Sequence, residues 1–338
     1  AGELAYYRED KQGQILEEGI NEAGSYCSWA AAATSYSNHD VPMVPFYIYY
    51  SMFGFQRIGD LAWLAGDIQA RGFLVGATAG RTTLNGEGLQ HQDGHSHILA
   101  NTIPNCRSYD PAYGYELAVI IQDGLKRMYG NKENCFYYIT TMNENYVHPD
   151  MPEGAEEGIV RGIYKLVEGK KKAKKKVQLM GAGTILREVE AAAQLLRDNH
   201  GVESDIWSLT SINELTRDGQ RAERWSRLHP DQPAKKAYLT AQLEGQDGPF
   251  IVSTDYMKNF SEQLRPYIPG RYYVLGTDGF GRSDTRSQLR HFFEVNRYFV
   301  TVTALKALAD EGKVPVSEVT DAMKKYGIDP DKADPMTV

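Results

Sequence analysis

Three histidines fall within seven residues: His91, His95 and His97, in the segment Thr83-Leu84-Asn85-Gly86-Glu87-Gly88-Leu89-Gln90-His91-Gln92-Asp93-Gly94-His95-Ser96-His97. Glu87 and Asp93 add carboxylates, Gln90 and Gln92 add amides, and three glycines supply turns. Neither an amphipathic helix nor an alternating strand needs such a sequence, so it reads as a loop presenting polar side chains. Three readings are open. His95 and His97, with His91 or Asp93, would suit zinc or iron and a metal-dependent hydrolase. An extended segment points His95 and His97 the same way, but His91 lies behind glycine-flanked turns and no HExxH is present. Alternatively, the imidazoles hydrogen-bond a substrate carboxylate and move protons near neutral pH. The third reading is a polar surface loop without chemistry.

A second feature is Gly19-Ile20-Asn21-Glu22-Ala23-Gly24, followed by the helical CSWAAAA run at 27–33. A carboxylate at the head of a buried helix needs a partner, either the helix dipole or a ligand. Gly181-Ala182-Gly183 follows a strand and opens a helix, but Leu186 stands where a third glycine would complete a dinucleotide fingerprint. A tight strand-to-helix turn is the expectation there. Gly276–Asp284 reads as a turn ending in a helix cap, or as a domain-contact or site-lining loop.

The elements that must carry these residues alternate. Strands are expected at 45–50, 73–78, 105–109 and 135–140, with helices over 52–70 and 112–129. Further strands at 177–180, 204–209, 250–253 and 272–275 interleave with helices near 183–199, 256–265, 297–311 and 316–326. The fold class is α/β, two domains with mostly parallel sheets and ligands at the strands' carboxyl ends. The domains are expected at 1–150 and 177–338. Residues 151–176, ending in Gly169–Lys176 with six lysines, read as a solvated linker or a docking patch for an acidic partner.

The chain has 338 residues, 42% hydrophobic and 24% charged, with a net charge of −7. That balance argues for a globular protein and against a nucleic-acid binder. No apolar run approaches a membrane span. Cys27, Cys106 and Cys135 are widely spaced, which fits a reduced, cytoplasmic setting. Ala1-Gly2-Glu3-Leu4 has no targeting character, so a processed product or a piece of a larger protein is expected.

Together, EEGINEAG, PFYIYYSMFGFQRIGDL, GRTTLNGEGLQHQDGHSHI, PNCRSYDPAYGYE, ITTMNENY, MPEGAEEGI and VLGTDGFGRSD resemble the homodimeric bacterial pyruvate dehydrogenases. These are thiamine diphosphate enzymes of the transketolase type. The resemblance runs essentially the full length of the chain. It implies a partial pyrimidine-binding domain at 1–150 and a transketolase C-terminal-type domain at 177–338. It implies oxidative decarboxylation of pyruvate and transfer of the acetyl unit to lipoyl groups of the dihydrolipoyl acyltransferase component. Glu22 matches the glutamate that hydrogen-bonds the aminopyrimidine ring, and an apolar aromatic wall is expected to keep the proton on that bond. Tyr50 and Phe53 match the aromatics that pack on the pyrimidine. His91 matches the histidine that faces substrate, Glu87 is expected in the same pocket, and His95 and His97 are expected as support or interface residues.

One departure matters. The family holds Mg²⁺ and the diphosphate on a GDG motif, and none occurs here. The metal ligands are therefore expected outside this chain, in an N-terminal portion of the same enzyme. The chain would be the C-terminal portion, supplying the pyrimidine half of the site and inactive alone. A non-catalytic assembly module is the remaining alternative.

Overall fold

The computed structural model describes residues 8–338, so Ala1–Leu4 and their expected lack of targeting character lie outside the described residues. The chain opens with α1 (Glu22–Asn38), β1 (Phe46–Tyr49), α2 (Ser51–Asp67), β2 (Phe73–Ala77), α3 (Ser96–Asn101), β3 (Cys106–Tyr109), α4 (Gly114–Leu125) and β4 (Phe136–Thr141). The four strands form a parallel sheet in the order β1-β2-β4-β3. Tyr26, Trp29, Phe55, Ile58, Tyr49 and Tyr138 fill one face beneath α1 and α2. Phe73, Tyr109, Ile120 and Tyr137 fill the other beneath α4. Burying large rings on both faces is what a sheet flanked by helices on both sides requires.

The segment 151–176, expected as a linker, holds α5 (Glu156–Arg161) and β5 (Ile163–Val167). Gly162, at φ 109°, turns the chain directly from that helix into the strand. β5 joins the second sheet, so the C-terminal unit begins before Val177. That unit continues through β6 (Lys176–Gly181), α6 (Leu186–His200), β7 (Glu203–Leu209), α7 (Ile212–Leu228), α8 (Tyr238–Leu243), β8 (Phe250–Ser253), α9 (Lys258–Glu262), β9 (Tyr272–Leu275), α10 (Arg286–Phe292), α11 (Arg297–Asp310) and α12 (Val316–Lys325). Its sheet runs β5-β7-β6-β8-β9, parallel except for the antiparallel edge strand β5. The α6 and α11 faces pack Leu186, Val189, Val300 and Leu305 on one side of it. Gly181–Gly183 is the expected strand-to-helix turn, lodged against Asp110 of the first unit.

Nor is the lysine run uniformly solvated. Lys176 is buried and reaches the Asp205 carboxylate at 2.9 Å, while Lys170 and Lys175 pair with Glu203 and Glu318. Asp205 also accepts from Gln178 and the Gly169 N–H, so it closes the 168–176 turn onto the sheet. Those partners hold its carboxyl below the ordinary range despite burial.

The carboxyl ends of both sheets point at each other. The Asp110 N–H, after β3, donates to Thr210 O, after β7, at 2.8 Å. The Met257 N–H, after β8, donates to Gly94 O at 2.9 Å. Loops that would normally face water are here satisfied across the two units. Among the described residues no helix is long and apolar enough to cross a membrane.

Asp205→Ala would leave the Lys176 ammonium buried without its carboxylate. Thermal or urea denaturation should show a loss of about 3–5 kcal/mol, whereas Lys172→Ala should stay within about 0.5 kcal/mol.

Candidate active site

Glu22 begins α1, whose N-cap Asn21 accepts the Gly24 N–H through its side chain. One Glu22 carboxylate oxygen, Oε1, accepts from Arg57 Nη1 at 2.6 Å. Arg57 lies one turn beyond Phe53 on α2, and its guanidinium sits over the Phe53 ring at 4.3 Å. Tyr50 follows β1 and caps α2, which places Phe53 beside it, with ring centroids 6.3 Å apart. The His91 ring lies 5.1 Å from both Tyr50 and Phe53. Glu22, Tyr50, Phe53 and His91 thus share one patch, tied together through Arg57. Tyr50 remains 45% exposed, so the rings leave an aromatic surface uncovered.

The wall around Glu22 differs from expectation. Its immediate partner is the Arg57 guanidinium rather than a set of rings, and its other oxygen has no partner among the described residues. No sequence motif flagged Arg57; its spacing from Phe53 on one helix was the available signal. Glu87, half-buried, engages the structure through its backbone, its carbonyl accepting from Ser283 Oγ at 3.0 Å.

The three histidines diverge, which removes the geometric basis of the metal-hydrolase reading. His95 accepts from the Gln56 amide at 2.6 Å on the α2 side. His97 is not on an extended segment with His95 but on α3, buried between Tyr138, Tyr256 and Phe260. Asp93 holds the start of α3 by accepting the His95 and Ser96 N–H groups, each at 2.9 Å. Among the described residues no three His, Cys, Asp or Glu side chains converge on a common point.

Residues 1–149 match the family model of the pyruvate dehydrogenase E1 component middle domain, and residues 162–296 that of the transketolase-like C-terminal domain. The Pyruvate dehydrogenase E1 component of Pseudomonas aeruginosa is 63% identical over 335 residues, 99% of this chain and 38% of that protein. That of Escherichia coli K12 is 62% identical over 337 residues, 98% of this chain and 37% of its own length. The chain belongs to the pyruvate dehydrogenase E1 family. It spans well under half the length of these curated relatives.

Solved structures agree on the fold. Transketolase from Campylobacter jejuni superposes with a TM-score of 0.60 at 18% identity, over 82% of this chain and 38% of that one. A structure described as split gene transketolase, inactive beta4 tetramer, superposes with a TM-score of 0.59 at 16% identity, over 86% of this chain and 83% of that one.

Within this family architecture, the unit interface holds a second titratable cluster. Thr140 Oγ donates its single proton to Asp110 Oδ1 at 2.6 Å. His97 Nε2 lies 2.9 Å from Thr140 Oγ. His97 Nδ1 and Asp110 Oδ2 are buried without partners. Burial pushes the His97 imidazole well below its ordinary value and the Asp110 carboxyl up to about 8. Each group is thus neutral in the fold. The stability His97 allows is present above its unfolded value and lost as pH falls below it. Asp110 has the opposite sign: its contribution is fully present below about 4 and is lost as pH rises toward 8, because the unfolded carboxyl ionises across that range while the folded one stays protonated. Asp110→Asn keeps an acceptor for Thr140 and removes the titration. Its stability relative to the parent chain, measured by denaturation at pH 5 and pH 8, should rise with pH; a constant difference would contradict the assignment.

Proposed function

We propose that this chain supplies the pyrimidine-facing half of the cofactor site of a thiamine diphosphate-dependent pyruvate dehydrogenase. The observation carrying this reading is the convergence of Glu22, Tyr50, Phe53 and His91 on one patch. They are the positions that the resemblance assigns to cofactor and substrate. The donor set suits an aminopyrimidine: an uncovered aromatic surface, and a carboxylate with one oxygen free to meet a ring nitrogen. A metal-bound diphosphate has no such match. Asp278, the carboxylate of the Thr277-Asp278-Gly279 loop, accepts from the Lys258 N–H and lies 3.6 Å from its ammonium.

When bound, thiamine diphosphate supplies the electron sink for decarboxylation. The chain's own residues would orient and desolvate. Tyr50 and Phe53 would hold the heterocycle flat and exclude water from one face. Glu22 would share a proton with the ring nitrogen, its position fixed by Arg57. His91, its ring 5.1 Å from those of Tyr50 and Phe53, would hydrogen-bond the substrate and move protons. Glu87 would line the same opening. The products would pass as acetyl units to lipoyl groups of an acyltransferase partner, in a cytoplasmic homodimer whose other portion supplies Mg²⁺ and diphosphate ligands. The description of the split-gene transketolase structure as inactive is in keeping with a half-site that does not turn over by itself.

Calorimetry with thiamine diphosphate and Mg²⁺ should therefore give no tight binding to this chain alone. Stoichiometric binding at about micromolar Kd, roughly −8 kcal/mol, would contradict the half-site reading. In a longer polypeptide carrying this sequence, Glu22→Gln should slow cofactor activation by about 10²-fold or more. His91→Ala should lower pyruvate turnover while cofactor affinity holds. Normal turnover in either variant would exclude that residue's role.

A further inference from the structure

His91 rides on a loop whose only regular structure is the three-residue 3-10 turn Leu89–His91. So short a turn does not hold a ring in place by itself. Its restraints come largely from the loop that follows β9 in the other unit. Gln92, adjacent to His91, is 1% exposed. Its amide nitrogen donates to Leu84 O at 2.9 Å and to Arg282 O at 2.6 Å, and its amide oxygen accepts from the Arg282 N–H at 2.8 Å. One buried side chain therefore bonds both ends of a contact between two loops nearly two hundred residues apart in sequence.

Neighbouring contacts reinforce that clamp. Ser283 Oγ donates to Glu87 O, and Arg286 Nε donates to Thr83 O at 2.7 Å. At Gly281 a Cβ would meet Leu89 O and the Gln92 side chain, so the two backbones approach closely only because that residue is glycine. Arg81, buried in the first unit, donates to Thr277 O at 3.1 Å and also to Gly279 O. The two loops hold each other. The His91 ring then needs only its contacts with Tyr50 and Phe53, and Nδ1 at 3.2 Å from Gly88 O, to have a defined direction.

We propose that residues 276–284 of the C-terminal unit are a positioning element for His91, acting through Gln92 as the positioning residue. The functional consequence rests on His91 facing substrate, as proposed above; the physical coupling does not. Removing the Gln92 amide would leave the buried Leu84 O unpaired and release both Arg282 backbone groups from the loop, which would open locally.

The test uses this chain with Gln92→Met, which keeps the volume and removes the three hydrogen bonds, and with Ser283→Ala at an exposed position. Hydrogen exchange across residues 85–95 should accelerate roughly tenfold in Gln92→Met and less in Ser283→Ala, with β4 and β6 unchanged. The His91 imidazole resonance should shift in both variants, because the Tyr50 and Phe53 ring currents no longer act at a fixed geometry. An unmoved His91 resonance in both folded variants would overturn the proposal. So would exchange that accelerates equally throughout both sheets, which would mean that Gln92 serves only global stability. In a longer polypeptide that turns over pyruvate, kcat should fall in Gln92→Met more than KM rises. A displaced His91 resonance with unaltered turnover would support the coupling and count against the functional reading of His91.

Discussion

The Asp255 carboxylate, fully buried just past the end of β8, takes four hydrogen bonds from the first unit. The Thr82 and Thr83 N–H groups reach it at 2.8 and 3.2 Å, and their hydroxyls at 2.6 and 2.7 Å. Thr83 Oγ then accepts from Thr184 Oγ at 2.7 Å. Burial pushes the Asp255 carboxyl upward, and these bonds oppose that push. A buried carboxyl stripped of such partners costs several kcal/mol, so the start of the histidine loop is bound to the second sheet. The remaining loop contacts build outward from this point.

The consequence for function is geometric. Parallel sheets present ligands at their carboxyl ends, and here two sheets meet at those ends. The loops between them are consumed in holding each other: Asp110, Asp255, Asp93 and Glu144 all serve as acceptors across or along the interface. What remains free is the flank of the first sheet, where Tyr50 leaves β1 and Glu22 opens α1. The half-exposed Tyr50 ring lies there, beside a mostly covered Glu22 whose second carboxylate oxygen has no partner among the described residues. Two neighbouring faces therefore differ, one closed by internal hydrogen bonds and one presenting the half-exposed Tyr50 ring.

Much of this was legible in the residues. The buried runs FLVGA and FYYITT contain too many apolar residues for one-sided strands, and both became inner strands of the first sheet. The shared patch of Glu22, Tyr50, Phe53 and His91 was legible only through resemblance, since no periodicity links residues 22 and 91. Other elements were not visible. β5 carries Lys165 and follows a helix rich in glutamate, so its composition looks like linker, yet its antiparallel pairing with β7 decides its state. The 17-residue helix α7 is strongly polar and was not foreseen, although Ser211 caps it and Asn213 reaches the first unit through His97 O. Gln92 and Asp255 act over separations of more than 170 residues, and local pattern carries no trace of such contacts.

In the proposed function, the free flank of the first sheet receives an aminopyrimidine. A crystal structure of a longer polypeptide carrying this sequence, with thiamine diphosphate bound, measures this directly. The predicted result places the Glu22 carboxylate within about 2.6–3.2 Å of a pyrimidine ring nitrogen, with Tyr50 or Phe53 against the ring face and His91 at the opening. A cofactor whose pyrimidine lies away from Glu22, or a Glu22 with both oxygens committed to protein groups in the bound state, would contradict it.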